Sequence, residues 1–158
     1  MAQKEATLSG QKKITLDGLV EIVYLKNGKM KLISTKMCKE GDLGYHDNLF
    51  GGHMMSWLDE AGASMASRIC NSPRVVTVLV EKMEFRRPVK AGQLIEIWGK
   101  VRKVGRSSIT LNIEARRHNV RTDSQEIVVN TDMKFVRIDE YGNPVPISER
   151  VKKKYEEV

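Results

Sequence analysis

Asp59 lies within the longest helical pattern of the chain, the stretch from Asp47 to Cys70. An apolar stripe runs through it, with Met54, Leu58, Ala61, Gly62, Met65 and Ile69 recurring at three- and four-residue steps. Asp59 falls on the neighbouring row with Met55, Gly62 and Ala66, so its carboxylate is expected to be half-buried. A charge in that position needs a partner or a task, because desolvation raises the free energy of its ionised form. Phe50-Gly51-Gly52 opens the same helix, and Asn48 just before it is placed to act as an N-cap. Two glycines at a helix start are costly for helix propensity. Two readings stand side by side: a ligand approaches the unpaired N–H groups of the first turn, or the chain turns tightly against a sheet. Cys38 and Cys70 lack any CxxC spacing and read as free thiols of a reducing compartment.

These residues need a scaffold, and the pattern supplies strands on both sides of the helix. Residues 1–13 are polar and unpatterned, a tail. From Ile14 to Tyr24 the apolar positions step by two for much of the way, and Lys26-Asn27-Gly28-Lys29 offers a hairpin turn into a second arm, Met30 to Cys38. A loop with Gly41 and Gly44 then leads to the helix, which Asn71-Ser72-Pro73 stops. Val75 to Val80 is rich in β-branched residues, as a buried strand should be. After the polar turn from Arg86 to Gly92 come Gln93 to Val104, Ser108 to His118 and Ile127 to Ile138, all with strand character, the first two joined by Gly105-Arg106-Ser107. A short helix from Ser148 to Glu157, capped by Ser148, closes the chain. The reading is a single α+β domain over 14–147, followed by a C-terminal helix or tail over 148–158.

A chain of 158 residues can bury roughly two-thirds of the surface its unfolded form exposes, so no second domain is required. The net charge of +7 favours anionic partners, although Lys12-Lys13 and Lys152-Lys153-Lys154 carry part of it at the ends. Aromatic residues are 6% of the chain and do not interleave with basic ones, which argues against a nucleic-acid surface. No apolar run is long enough to span a membrane, and the first residues lack an apolar core. The expectation is a cytoplasmic, soluble protein.

Five tags in order make a more specific pattern: Asn48-Leu49-Phe50-Gly51-Gly52, Trp57-Leu58-Asp59-Glu60-Ala61, Val75-Val76-Thr77-Val78, Phe85-Arg86-Arg87-Pro88-Val89 and Gly105-Arg106-Ser107-Ser108-Ile109. Together they resemble the hot-dog-fold acyl-CoA thioesterase (acyl-CoA hydrolase) family, from about residue 30 to residue 138. The resemblance implies a long central helix wrapped by a curved antiparallel sheet. It also implies hydrolysis of an acyl-CoA thioester to a free acid and CoA, with no metal or cofactor beyond the CoA of the substrate. Asp59 then stands at the position of the catalytic carboxylate, as general base or nucleophile, and the amides around Gly51 and Gly52 polarise the thioester carbonyl. Thr77 is expected to face the helix, near the acyl group or the catalytic acid. Arg86, Arg87 and the turn Gly105-Arg106-Ser107-Ser108 are candidates for the CoA moiety. Many members carry a catalytic asparagine six residues before the position of Phe50, where this chain has Gly44. Asn48 and His46 are the polar residues left to orient water or carbonyl.

Asp59 lies roughly 13 Å along the helix axis from the first amides, so one subunit's acid does not easily meet its own helix start. That fits a homodimer with shared sites, and the family often assembles dimers into hexamers or tetramers. A non-catalytic acyl-CoA-binding or regulatory domain is the alternative that Gly44 leaves open. A hot-dog dehydratase would need a histidine working with a helix acid, and His53 lacks that family's surrounding pattern.

Overall fold

The computed structural model describes residues 29–156 together with the backbone pairing of three short N-terminal strands. Those three, β1 (Thr7–Leu8), β2 (Gln11–Leu16) and β3 (Val20–Leu25), form an antiparallel sheet of their own. The expected tail over 1–13 thus includes β1 and the start of β2, and the Asn27-Gly28 turn lies outside the described residues. The hairpin expected between the segment ending at Tyr24 and the one starting at Met30 is not formed. Strand β4 (Lys31–Met37) pairs instead with β7 (Leu94–Val104), Met37 opposite Leu94 and Leu32 opposite Trp98. A long-range ladder with an apolar partner outweighs a local turn signal between polar arms.

The main sheet has six antiparallel strands, in the order β4-β7-β8-β9-β5, where β5 is Val75–Val80, β8 is Ser108–Asn119 and β9 is Ser124–Arg137. The short β6 (Glu84–Phe85) pairs with β9 beyond β5. Alternation along the strands sends Ile95, Ile97, Ile109, Leu111, Ile113, Met133 and Phe135 to one face, all buried. Against that face lies α1 (Gly51–Cys70), burying Met54, Leu58, Ala61, Gly62, Ala66 and Cys70. This is the helix-in-sheet layout of the hot-dog fold. The approach is close enough that a Cβ on Gly62 would stand 2.6 Å from the ring of Phe135, which is why the middle of the helix carries a glycine. Asn71, left-handed at φ 50°, ends α1 as the sequence indicates. Helix α2 (Glu149–Glu156) starts after Ser148, whose Oγ accepts the Val151 N–H, and it packs Val151 and Tyr155 against the core. Among the described residues no helix is long and apolar enough to cross a membrane.

One expectation about burial is corrected. Strand β5 is an edge strand, and Val78 on it is 52% exposed, with Val76, Leu79 and Val80 exposed beside it. On the sheet face turned away from α1, several polar side chains are buried. Glu114 and Arg116 form an ion pair at 2.8 Å, Asn130 donates to Glu114, and the Arg116 guanidinium lies over the Trp98 ring at 4.8 Å. Such a network tolerates burial because nearly every charge in it has a hydrogen-bonded partner.

Candidate active site

Helix α1 and strand β5 jointly position the candidate acid. The Thr77 hydroxyl donates a hydrogen bond to Asp59 Oδ1 at 2.5 Å. Asp59 itself is exposed rather than half-buried, because β5 is the outermost strand and no described residue pairs with its far side. Its second oxygen, Oδ2, has no partner among the described residues. One oxygen is therefore fixed and the other is free to act on a substrate or a water. The adjacent Glu60 is accounted for by Lys36 on β4, at 3.2 Å.

The helix start is built differently from the sequence expectation. Phe50, not Asn48, is the N-cap residue, and no side chain caps the helix. The chain is held there by backbone bonds from distant segments: Leu49 N–H to the Val89 carbonyl at 2.7 Å and Phe50 N–H to the Asp42 carbonyl at 2.9 Å. The first donors satisfied inside the helix are those of His53 and Met54, both bonded to the Phe50 carbonyl. That leaves the Gly51 and Gly52 N–H groups without an acceptor among the described residues, at the positive end of the helix dipole. The Phe50 ring covers Gly52 so closely that a Cβ there would meet it at 2.5 Å. Both readings of the glycine pair therefore have a basis, a tight turn at Gly52 and bare donors at both.

Beside these amides is a cavity of about 300 Å³, lined by Asn48, Gly51, Met54, Phe85, Arg86 and Val128 among others. Asn48 Oδ1 is buried without a hydrogen-bond partner. An unpaired amide oxygen at a cavity wall is a cost of about 1–3 kcal/mol unless a water or a ligand satisfies it. His46 is not part of this group; it is exposed, edge-on to the Tyr45 ring at 5.2 Å. Phe85 is the lining residue that sequence reasoning missed as an individual contributor, although it stands in one of the matching tags. Its ring tip comes 3.5 Å from where a Cβ on Gly51 would be.

The cationic candidates divide. Arg86 lines the cavity and is exposed, and among the described residues no carboxylate forms an ion pair with it. Arg87 also lines the cavity, but its Nε is committed to Glu126 at 2.7 Å. Arg117 reaches the same carboxylate at 2.5 Å, and these bonds, Arg117 first, hold the Glu126 carboxyl below the usual range. In the β7–β8 turn the Gly105 N–H bonds the Ser108 carbonyl at 2.7 Å, leaving Arg106 exposed at the tip. Ser107 is bound into the fold through its carbonyl, which accepts the Arg137 N–H. Burial pushes both cysteine thiols up, which disfavours nucleophilic thiolates. Among the described residues no group of three or more His, Cys, Asp or Glu could hold a metal ion.

Register shows that one chain carries these groups in two clusters. Thr77 stands opposite Phe135 of β9, and Phe85 stands opposite Val129 of the same strand. The six-residue step from Val129 to Phe135 puts roughly 20 Å between the two levels. Along α1, Asp59 is eight residues from Gly51, a rise of roughly 12 Å. The acid with its threonine is one half-site, and the amides with Asn48 and Arg86 are another.

Comparison with known proteins gives a consistent result. A family model described as the thioesterase superfamily matches residues 46–123. An uncharacterized acyl-CoA thioester hydrolase of Haemophilus influenzae is 33% identical over 123 residues, covering 74% of this chain and 79% of that protein. The acyl-CoA thioester hydrolase YciA of Salmonella typhimurium is 32% identical over 120 residues, covering 74% and 90%. Among solved structures, a hexameric hotdog-fold thioesterase of Campylobacter jejuni superposes with a TM-score of 0.71 at 30% identity, over 79% of this chain and 96% of that one. A hexameric broad-specificity acyl-coenzyme A thioesterase superposes with a TM-score of 0.72 at 30% identity, over 80% and 89%.

Proposed function

The chain belongs to the thioesterase superfamily, as an acyl-CoA thioester hydrolase, and from its geometry we propose how it cleaves the thioester. The observation that carries the reading is the Thr77–Asp59 bond, which fixes one carboxylate oxygen and leaves the other free beside an open strand edge. Asp59 acts either by taking a proton from the attacking water or by attacking the carbonyl carbon itself. Charge then develops on the carbonyl oxygen, and the free N–H groups of Gly51 and Gly52 are the donors suited to it. On the base route the C–S bond breaks as the water's oxygen stays on the acyl carbon, and the proton taken by Asp59 passes to the leaving thiolate. On the nucleophile route the C–S bond breaks to leave an acyl–Asp59 anhydride, which a water then hydrolyses to the free acid and the restored carboxylate, its proton going to the thiolate. Asn48, with its unpaired Oδ1 at the cavity wall, takes the water- or carbonyl-orienting role that Gly44 cannot supply.

Because the two half-sites are separated within one chain, the working unit we propose is a dimer in which each site takes its acid from one copy and its amides from the other. The exposed apolar edge β5 is the surface for that pairing, since a long apolar edge left open invites another strand. Further assembly of such dimers to a hexamer follows the hexameric state of the structural neighbours. Arg86 and Arg106, both exposed cations, are the residues offered to the phosphates of CoA, whereas Arg87 is largely occupied by Glu126.

The test is thiol release from a panel of short-, medium- and long-chain acyl-CoAs, comparing wild type with Asp59→Ala. Turnover that vanishes in a folded Asp59→Ala supports the mechanism. Tight acyl-CoA binding without turnover on any substrate would make this a binding domain instead.

A further inference from the structure

We propose that Arg117, which lies outside the cavity at the helix start, is a positioning residue for substrate binding there: it holds the Arg87–Pro88 wall of that cavity in place. The inference rests on the reading that this cavity takes the acyl-CoA. The wall needs a holder because of its own backbone. At one end of the segment Arg86 donates its N–H to the Val128 carbonyl at 2.9 Å, and at the other the Val89 carbonyl accepts the Leu49 N–H at 2.7 Å. Between these ties Arg87 and Pro88 are exposed, and neither makes a backbone-to-backbone hydrogen bond among the described residues. Proline has no N–H, so residue 88 can be tied only through its carbonyl.

Arg117 supplies that tie. Its Nη1 donates to the Pro88 carbonyl at 2.9 Å, and its Nη2 donates to Glu126 Oε2 at 2.5 Å. Glu126 stands directly opposite Arg117 on β9, and its other oxygen, Oε1, accepts the Arg87 Nε–H at 2.7 Å. One guanidinium thus fixes both untied residues, Pro88 directly and Arg87 through a shared carboxylate. The planar fork makes this possible, because its two arms donate in different directions at once; a lysine ammonium on a flexible stem has no such fixed geometry. Arg117 does not line the cavity, whereas Arg87 and Pro88 do, so its effect reaches the substrate only through them.

The geometry also says which step depends on it. The Gly51 and Gly52 amides keep a tether of their own, since the Phe50 N–H just before them bonds the Asp42 carbonyl. Asp59 is held by Thr77, at the far level of β9. Releasing the Arg87–Pro88 wall therefore changes the shape of a cavity of about 300 Å³ beside the amides and leaves the groups that do the chemistry where they are. The cost falls on binding.

The experiment is calorimetric titration of the full-length protein with S-hexyl-CoA, a thioether that cannot be hydrolysed, on proteins whose fold is checked by circular dichroism. Arg117→Gln should bind it at least about tenfold more weakly than wild type. Glu126→Gln breaks the same ion pair but spares the bond to Pro88, so it should stay within about twofold of wild type. Arg117→Lys keeps the charge; drawn to Glu126, its ammonium leaves Pro88 untied, and binding should weaken at least about fivefold. In turnover, KM for an acyl-CoA should rise in parallel with kcat within about threefold. The assignment is overturned if either Arg117 variant binds as wild type does, if Glu126→Gln is as weak as Arg117→Gln, if kcat falls with KM unchanged, or if wild type does not bind at about 1 mM. Thioether binding needs no turnover, so a wild type that binds S-hexyl-CoA and hydrolyses no acyl-CoA fails the hydrolase mechanism alone.

Discussion

Replacing Thr77 by valine removes one hydroxyl and keeps the shape of the side chain, so it isolates the bond to Asp59. A hydrogen bond to a charged acceptor contributes about 1.5–3 kcal/mol. Asp59 is exposed in the isolated chain, so water can replace part of the lost bond and the lower end of that range applies. At 1.36 kcal/mol per factor of ten, kcat should fall roughly tenfold in Thr77→Val. Thr77 acts through Asp59, as a positioning residue, and it lines neither the cavity at the helix start nor the Arg106 turn. KM should accordingly stay within about twofold of wild type. Thr77→Ser restores the donor and should recover kcat to within about threefold of wild type. The assay is initial-rate thiol release with the acyl-CoA that wild type turns over best, on proteins matched for thermal midpoint. If Thr77→Val keeps the wild-type kcat, the bond does not position the acid. If Thr77→Ser is as impaired as Thr77→Val, the contribution comes from methyl packing and the hydrogen-bond argument fails.

Val78→Lys places a charge on the open edge of β5, and a two-fold interface would hold two copies of it; the dimer should weaken by at least about a hundredfold in sedimentation, with turnover lost in parallel. An active monomer would refute the shared site. Glu126, held below the ordinary glutamate range by Arg117 and then Arg87, binds fewer protons folded than unfolded, so its contribution is present above that range and is lost as the pH falls through the folded value. Denaturant unfolding of wild type and Glu126→Gln should therefore converge toward acid pH, and a difference that grows on acidification would contradict the pairing.

Most of the fold was legible because the strands obey a period of two and the helix a period near 3.6, and those periods depend only on neighbours in sequence. What misled the reading depended on neighbours far away in sequence. Asn48 looked like a cap, but the chain at that point is held by Val89 and Asp42, and no local window shows either contact. The Asn-Gly turn looked like a hairpin, but the strand after it finds a better apolar ladder on β7. Val75 to Val80 read as buried for the right chemical reason and in the wrong molecule: one chain leaves that strand open, and apolar β-branched residues are what a second copy would cover. The same reasoning explains why residue types revealed the site but not its division. Asp59, Gly51 and Asn48 announce themselves by type and position, whereas the distance between the half-sites is set by where β5 and β6 register on β9. A slip in that register would alter the roughly 20 Å spacing by one residue's rise and turn Thr77 to the other face, away from Asp59. The partnership of Thr77 with Asp59 is thus a property of the ladder, and the chemistry proposed for this chain depends on that ladder as much as on the acid itself.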